Sequence, residues 1–329
     1  MTKRLVDALR RRPVDRTPVW IMRQAGRYLP EYRELRTRHS FQEAVSTPTV
    51  AAEITMQPIR RFGMDGAVIF ADIMTPLEAM GVEMTFDPGP KLRPHTLREV
   101  IELADLDLGR VGFVAETIER VRRELDDETA VIGFAGGPAT LLAYLVEGGG
   151  SKEFMELRAA VAADPSAAQV ALDRLGRAMQ GYLSVQAAAG ADVVQLFDTW
   201  AGLFDRATYQ RRVLPAAQTA LADLSVPTIY FAPGAGHTLD LQPKIGALGY
   251  GVDWRIPIDE AWDQLGEVAV QGNVDPAVLR SDVDTIQRAV ADVRARVRTR
   301  PGHIMNLGHG IDRHTRPEHV AAFVEAVRS

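Results

Sequence analysis

The sequence predicts a single-domain (β/α)8 TIM-type barrel, because short apolar segments alternate along the chain with amphipathic helical patterns. Eight such segments recur, and polar or glycine-rich residues follow each of them. Continuously apolar strands are typical of a parallel sheet that is buried on both faces. Their alternation with helices indicates repeated βα units. The predicted strands are residues 19–22, 66–70, 130–136, 192–198, 227–233, 249–254, 268–274 and 303–310.

The helical patterns at the two ends of the chain carry their own signals. Residues 1–18 lack an apolar core segment and include two aspartates, so they are not typical of a targeting segment and predict a short surface helix. Near the C-terminus, apolar residues from Ile286 to Val297 recur with helical spacing. The last helix is predicted to start with a capping box formed by Thr315 and Glu318.

Composition limits both the domain organisation and the class of function. The 329 residues are 46% apolar and 25% charged, with a net charge of -5, which is typical of a globular protein. No composition shift marks a boundary, so residues 1–329 are expected to form one catalytic domain. Slight acidity argues against nucleic-acid binding, and no run of eighteen apolar residues suggests a membrane span. The absence of cysteine excludes a thiol nucleophile and fits a reducing, cytoplasmic location.

Arginines stand at the end of the first predicted strand. In a (β/α)8 barrel, chemistry lies at the carboxyl ends of strands. Arg23 directly follows residues 19–22, Arg27 comes four residues later, and Arg36 lies further along a helical pattern. A guanidinium holds carboxylate or phosphate through two parallel hydrogen bonds, so an anion site is one interpretation. Structural ion pairing is the other, and its candidate partners are Glu31, Glu34 and Asp72.

Other polar residues stand at the remaining strand ends. Asp72 follows the second strand, and a buried carboxylate there needs a partner or a purpose. His309 lies between two glycines, where it serves either a ligand or merely a backbone hydrogen bond. No histidine spacing matches a zinc site, and no lysine lies at a strand end, so neither a metal nor a Schiff base is expected. The same rule selects Phe197, Asp198, Thr199, Asp253 and Asn273.

Two longer stretches resemble a known family. "PVWIMRQAGRYLPEYRELR" (18–36) and "GFAGGPATLLAYLVEGGGS" (133–151) are similar to two signatures of the uroporphyrinogen decarboxylases, and "QLFDTWAG", "GVDW", "GNVDP" and "NLGHG" follow in the family's order. The resemblance covers nearly the whole chain. It implies a (β/α)8 barrel, usually a homodimer, that needs no cofactor or metal. It also implies conversion of the four acetate groups of uroporphyrinogen to methyl groups, which gives coproporphyrinogen and carbon dioxide in haem biosynthesis.

The resemblance also assigns residues to the site. It implies Asp72, Arg23 and Arg27 as catalytic residues, with Asp72 as the anion that stabilises a protonated, cationic pyrrole ring. The chain departs from the family where Thr199 replaces a frequent serine and where Ala139 replaces a frequent tryptophan. The implied substrate-binding residues are Arg23, Arg27, Arg36, Asp72, Tyr144, Phe197, Thr199 and His309.

Two other functions fit the same barrel. Corrinoid-dependent methyltransferases share the barrel and some motifs, but they hold zinc through a histidine and cysteines, and this chain contains no cysteine. A tetrapyrrole-binding carrier would need the cavity without the chemistry. Turnover of uroporphyrinogen distinguishes the three functions.

Overall fold

In the computed structural model, which describes residues 3–86 and 89–329, seven parallel strands form one curved sheet. Their order is β1-β4-β5-β6-β7-β8-β9, and β2 and β3 form a separate antiparallel hairpin. The strands are β1 (Gly66–Val68), β2 (Met84–Phe86), β3 (Pro90–Leu92), β4 (Ala130–Gly136), β5 (Val193–Phe197), β6 (Thr228–Phe231), β7 (Gly249–Gly251), β8 (Ala269–Gln271) and β9 (His303–Ile304).

Residues 18–22 occupy the eighth position and close the barrel. Val19 forms a parallel bridge with Met305 next to β9, and the Val19 carbonyl accepts a hydrogen bond of 2.8 Å from Asp65 N, next to β1. The ladder does not continue, because side-chain amides take the next donors: Ile21 N donates to Gln24 Oε1 and Met22 N to Asn306 Oδ1. The predicted first strand is therefore a bridged segment, and the barrel prediction is confirmed.

Helices surround this barrel and connect its strands. The α-helices are α1 (Arg4–Leu9), α2 (Pro30–Arg36), α3 (Phe41–Ser46), α4 (Pro48–Phe62), α5 (Thr75–Ala79), α6 (Leu97–Ile101), α7 (Gly112–Glu124), α8 (Pro138–Glu147), α9 (Met155–Ala163), α10 (Pro165–Ala188), α11 (Arg206–Thr208), α12 (Leu214–Leu221), α13 (Ile258–Leu265), α14 (Val283–Val297) and α15 (Pro317–Arg328). Shorter turns are the 3-10 helices Leu108–Val111, Ala201–Leu203, Gly236–Thr238, Gln242–Ile245 and Pro276–Arg280 and the π-helical turn Tyr209–Val213. Among the described helices, none is both long and apolar enough to cross a membrane.

The start of α15 differs from the prediction. The N-cap residue is Arg316 in extended conformation, and its side chain makes no capping hydrogen bond. The Thr315 hydroxyl is buried and has no hydrogen-bond partner in the described chain. The predicted capping box is therefore wrong, because Pro317 at the first helical position starts the helix one residue later.

Helix α1 is not a surface helix as predicted. Leu5, Val6, Ala8 and Leu9 are buried, and a Cβ added to Gly249 of β7 would lie 2.5 Å from Leu9 Cδ2. The helix thus covers the amino end of the barrel. This helix has only six residues, which is too short for its sequence pattern to show whether its apolar face is buried against the barrel or exposed to solvent.

Candidate active site

A cavity of about 580 Å³ opens at the carboxyl end of the barrel. The loops that follow β5 to β9 supply its walls, as the barrel rule predicts. A second cleft of about 480 Å³ lies on the outside against Thr49 and Arg120 and contains none of the predicted site residues. The residues that line the first cavity are Thr199, Trp200, Gly202, Leu203, Pro233, Gly234, Trp254, Arg255, Asp275, Pro276, His309 and Gly310.

Arg23 reaches this end of the barrel through an unusual backbone conformation. Its φ of 64° lies in the left-handed region, which costs a residue with a Cβ about 1–2 kcal/mol. A Cβ added to Gly310 would lie 2.5 Å from Arg23 Cδ, so only glycine lets the arginine lie across the loop after β9. Backbone strain of this kind is concentrated at functional sites, and here it aims a guanidinium at the rim of the cavity.

The acids that were candidate partners for the first arginines are engaged elsewhere. Glu31 pairs with Arg61 at 3.2 Å, and Glu34 pairs with Arg38 at 3.3 Å. Within residues 3–86 and 89–329, neither Arg23 nor Arg27 forms an ion pair, and both side chains are exposed. The structure thus favours the anion-site interpretation over structural pairing for these two residues.

Charges at the opposite end of the barrel behave differently. Arg4 and Arg16 each approach Asp65 at 2.7 Å, and Lys3 approaches Asp192 at the same distance. Asp65 is almost fully buried, so these cations offset its charge. Positive charge at the amino end is therefore paired within the protein.

Arg36 lies apart from the cavity wall. Its Nη1 donates to Tyr32 Oη at 2.9 Å, its Nε donates to the His39 carbonyl, and its Cζ lies 5.5 Å from the Phe41 ring centre. The rings of Tyr32 and Phe41 both pack against Phe70, at 5.7 and 5.9 Å. Phe70 precedes Asp72 by two residues, so Arg36 adjoins the end of β1 through this aromatic cluster.

Asp72 lies beyond the end of β1, and no ion pair engages it in the described chain. It is half-buried, and its Oδ1 accepts a hydrogen bond of 2.8 Å from Met74 N. Burial raises the pKa of Asp72 to about 6, the Met74 N–H opposes this shift, and Glu78 adds to it. Arg23 lowers the same pKa slightly from a distance. The carboxylate is therefore mostly ionised at neutral pH and carries an unneutralised charge.

His309 contributes a neutral ring to the cavity. It packs edge-on against Phe231 at 6.4 Å and Trp254 at 6.2 Å between ring centres. Burial and, to a smaller extent, the charges of Arg23 and Arg255 lower the pKa of His309 to about 4, although the charge of Asp253 opposes the shift. In the part of the chain that the structure describes, no backbone group bonds its ring nitrogens, unlike those of His303. The imidazole is thus free to bond a ligand.

Aromatic residues pack behind the cavity wall. Phe197 ends β5 and packs against Phe134 at 5.5 Å and Phe231 at 6.2 Å. Tyr144 lies on α8 and packs edge-on against Phe154, which contacts Trp200 in the cavity wall at 4.5 Å. Tyr144 therefore supports the wall from behind in this structure. Ala139 on the same helix is fully buried.

Thr199 lines the cavity because a buried carboxylate positions its loop. Asp198 Oδ1 accepts hydrogen bonds of 2.9 Å from both Thr140 N and Thr140 Oγ1, and Oδ2 accepts one of 3.3 Å from Tyr230 Oη. The Thr140 hydroxyl in turn accepts from Trp200 N at 3.1 Å. Burial raises the pKa of Asp198 to about 6, and these donors oppose the shift. Asp198 thus joins the β5 loop to the start of α8 and does not face the cavity.

Asp253 and Asn273 also position loops. Asp253 accepts hydrogen bonds from the backbone N–H groups of Gly234 and Arg255. Asn273 Nδ2 donates to the carbonyls of Asp253 and Ile256 at 2.9 and 2.7 Å. The sequence placed both residues at strand ends correctly, but their polar atoms are used within the protein.

Arg255 is a cavity residue that the sequence analysis missed. Its Cζ lies 4.0 Å from the ring centre of Trp254, and its Nη1 lies 3.4 Å from Asp253 Oδ1. The signal was present, because this arginine directly follows the "GVDW" motif at a predicted strand end. Among the described residues, no group of three or more histidines, aspartates or glutamates is arranged to hold a metal ion.

Comparison with known proteins identifies both sequence relatives and structural neighbours. The family model described as uroporphyrinogen decarboxylase matches residues 1–329. The uroporphyrinogen decarboxylase of Syntrophotalea carbinolica is 45% identical over 98% of this chain and 96% of its own length. That of Chloroflexus aurantiacus is 43% identical over 100% of this chain and 96% of its own length.

Solved structures support the architecture. A methyltransferase from Methanosarcina mazei superposes with a TM-score of 0.83 and 22% identity, over 99% of this chain and 97% of its own. A B12-independent methionine synthase from Shewanella sp. W3-18-1 gives a TM-score of 0.59 and 11% identity, over 85% and 87%. At these identities the likeness concerns the fold alone.

Proposed function

The chain belongs to the uroporphyrinogen decarboxylase family, and from this premise we propose that it removes the four acetate carboxyl groups of uroporphyrinogen. The products are coproporphyrinogen and carbon dioxide. The family resemblance found in the motifs is confirmed. The methyltransferase likeness rests on 22% identity, so it carries no argument for methyl transfer.

One arrangement carries the proposal. Asp72, an ionised carboxylate, lies beyond β1, and Arg23 lies at the end of the adjoining segment 18–22; neither forms an ion pair with another described residue. Uroporphyrinogen has a matching chemistry, since it carries eight carboxylates around a ring of pyrroles that becomes cationic during the reaction. Each charge-assisted contact to an arginine is worth about 1.5–3 kcal/mol when partly desolvated. Arg23 and Arg27 would hold carboxylates while Asp72 faces the ring.

The chemistry assigned to Asp72 follows from its charge. Protonation of a pyrrole carbon next to an acetate side chain makes that ring cationic. The bond between the acetate methylene and its carboxylate then breaks, its electron pair enters the ring, and carbon dioxide leaves. A proton from solvent is then added to the exocyclic methylene carbon, and the ring carbon loses the proton it had gained, which gives the methyl group and restores the pyrrole. A fixed anion beside the ring stabilises the cation without reorganising at the moment of reaction. With a pKa of about 6, Asp72 supplies this anion at neutral pH and loses it in acid.

The remaining predicted residues receive binding roles. We assign a hydrogen bond to the substrate from the Thr199 hydroxyl and from the neutral imidazole of His309. Phe197 would form an apolar wall. Tyr144 and Arg36 would reach the substrate only with small side-chain movements, because each now packs on a neighbouring aromatic ring.

The same proposal includes several properties of the whole molecule. Residues 1–329 would act as one catalytic domain in the cytoplasm, as a homodimer, without metal or organic cofactor. Sedimentation of the purified protein at micromolar concentration tests the dimer, and a monomer mass would contradict it.

Anaerobic turnover tests the central activity. Purified protein is incubated with uroporphyrinogen under reductant, and the products are oxidised and separated by chromatography. We expect porphyrins with seven, six and five carboxylates to form and to give way to coproporphyrin. Binding without loss of carboxylates would favour the carrier alternative. If the protein neither binds uroporphyrinogen nor removes its carboxyl groups, the proposal is wrong.

A further inference from the structure

Arg255 occupies a fixed position on the rim of the cavity. Its guanidinium stacks on Trp254 at 4.0 Å, an arrangement that holds the planar group while leaving its edge free for hydrogen bonds. Slightly more than half of its side chain is exposed. Asp253 neutralises this charge only in part, because the 3.4 Å contact is long and its carboxylate already accepts from two backbone N–H groups.

Arg255 lies across the barrel mouth from Asp72. The closed ring has eight positions, formed by segment 18–22 and the seven strands in the order β1-β4-β5-β6-β7-β8-β9. Strands β1 and β7 are four positions apart in either direction, so they are diametrically opposed. Asp72 follows β1 and Arg255 follows β7. His309 and Arg23 lie between them, on the side of β9 and segment 18–22.

We propose that Arg255 binds a propionate carboxylate of the substrate, on the side of the macrocycle opposite the ring that is reacting. This inference rests on the proposed function and adds a specificity-determining residue to it. A macrocycle whose reacting ring lies at Asp72 projects side chains of its far rings toward β7. There the stacked guanidinium offers two donors in one plane, which fit a carboxylate.

The chemistry favours propionate over acetate as the bound group. A guanidinium that holds a departing carboxylate stabilises its ionised ground state and so opposes loss of carbon dioxide. A propionate stays on the molecule through all four steps. An arginine that binds it therefore holds substrate, intermediates and product alike, and contributes to binding in every cycle.

The test removes the charge of Arg255 and measures KM, which reports substrate binding, separately from kcat, which reports turnover. Arg255→Gln should raise KM for uroporphyrinogen about tenfold, the lower end of the loss of one charge-assisted bond, with kcat within about twofold. Arg255→Lys should lie between, since it keeps charge without the planar pair of donors. Arg98→Gln is the control, because Arg98 is an exposed arginine of α6 that is paired with Glu102, the residue after that helix.

Coproporphyrinogen, which carries only propionates, decides the identity of the bound group. Its dissociation constant, measured anaerobically by calorimetry, should rise in Arg255→Gln by the same factor as KM. If the dissociation constant of coproporphyrinogen is unchanged while KM for uroporphyrinogen rises, Arg255 binds an acetate. If neither value changes, Arg255 binds neither an acetate nor a propionate. Either result overturns the inference. Because this measurement needs no catalysis, it tests Arg255 even if wild-type protein fails to decarboxylate uroporphyrinogen, which would refute the proposed function alone.

Discussion

Substitution of Asp72 by asparagine should stabilise the protein while it abolishes most activity. A carboxylic acid whose pKa rises from 3.8 to about 6 on folding costs about 3 kcal/mol of stability when ionised, at 1.36 kcal/mol per tenfold change in acidity. The side chain is partly exposed, which reduces the cost to about 1–3 kcal/mol. Asparagine has no charge to desolvate, and its Oδ1 can still accept from Met74 N.

The pH dependence of this stabilisation has a definite sign. Because the folded-state pKa of Asp72 is raised, the folded protein binds the proton more tightly, and wild-type stability falls as pH rises from about 4 to about 6. The variant lacks this fall. Asp72→Asn should therefore exceed wild type in free energy of unfolding at pH 8, and the difference should vanish below about pH 4.

Activity should change in the opposite direction. Removal of a preorganised electrostatic stabiliser commonly lowers kcat by about 10²–10³. If the pyrrole N–H groups of the bound ring donate to Asp72, the asparagine amide would also place a donor against those donors. Asp72→Glu keeps the charge but displaces it, so its kcat should lie between wild type and the asparagine variant. In wild type, kcat/KM should fall as pH drops below about 6, where Asp72 takes up a proton.

The decisive experiment measures melting temperature, urea unfolding and turnover on one preparation of Asp72→Asn. A stable variant with kcat lowered at least 100-fold supports the assigned role. A lower melting temperature with near-normal turnover in the folded fraction would instead make Asp72 a structural partner. A folded and fully active variant would refute the mechanism.

Three further predictions concern the rest of the site. Arg27→Lys and Arg23→Lys should each lower kcat/KM clearly, because an ammonium lacks the two-pronged geometry, and a value within about twofold of wild type would remove that residue from the carboxylate contacts. Thr199→Ser should be mild and Thr199→Val worse by about 1–3 kcal/mol in kcat/KM, since valine leaves a buried partner unpaired; equal activities would reduce the position to packing. Prolonged chelation should leave turnover unchanged, and a loss that added zinc restores would contradict metal independence.

The fold was predictable from the sequence because every strand of a parallel barrel is buried on both faces and must therefore be apolar. All residues of β4 are buried, and such a strand reads as one apolar run. The ends of strands were less predictable. Residues 303–310 were predicted as one strand, but only His303–Ile304 form a continuous strand, and beyond it Met305 and Leu307 pair as isolated bridges with Val19 and Val274. The three-residue strands of the β2–β3 hairpin are half-exposed and leave too short a pattern to detect.

The candidate site was predictable in location and only partly in detail. Strand-end position alone selected Asp72, Thr199 and His309 together with Asp198 and Asp253, since all five end or follow strands. Only the structure distinguishes their roles. The carboxylate oxygens of Asp198 and Asp253 accept hydrogen bonds from backbone and side-chain donors within the protein. Hydrogen bonds between distant loops have no signature in the local sequence.

The pairing of arginines, and not their number, reconciles a positive site with an acidic chain. The net charge is -5, and most arginines on the surface or at the amino end have an acid within reach, as Arg4 and Arg16 have at Asp65. Near the carboxyl end, Glu31 forms an ion pair with Arg61, and Glu34 forms one with Arg38. Within residues 3–86 and 89–329, Arg23 and Arg27 are exposed and form no ion pair, so their charge contributes to a local positive field at this end of the barrel. The proposed site can therefore attract a polycarboxylate through a few arginines that form no ion pair with the described residues, although the whole chain has a net negative charge.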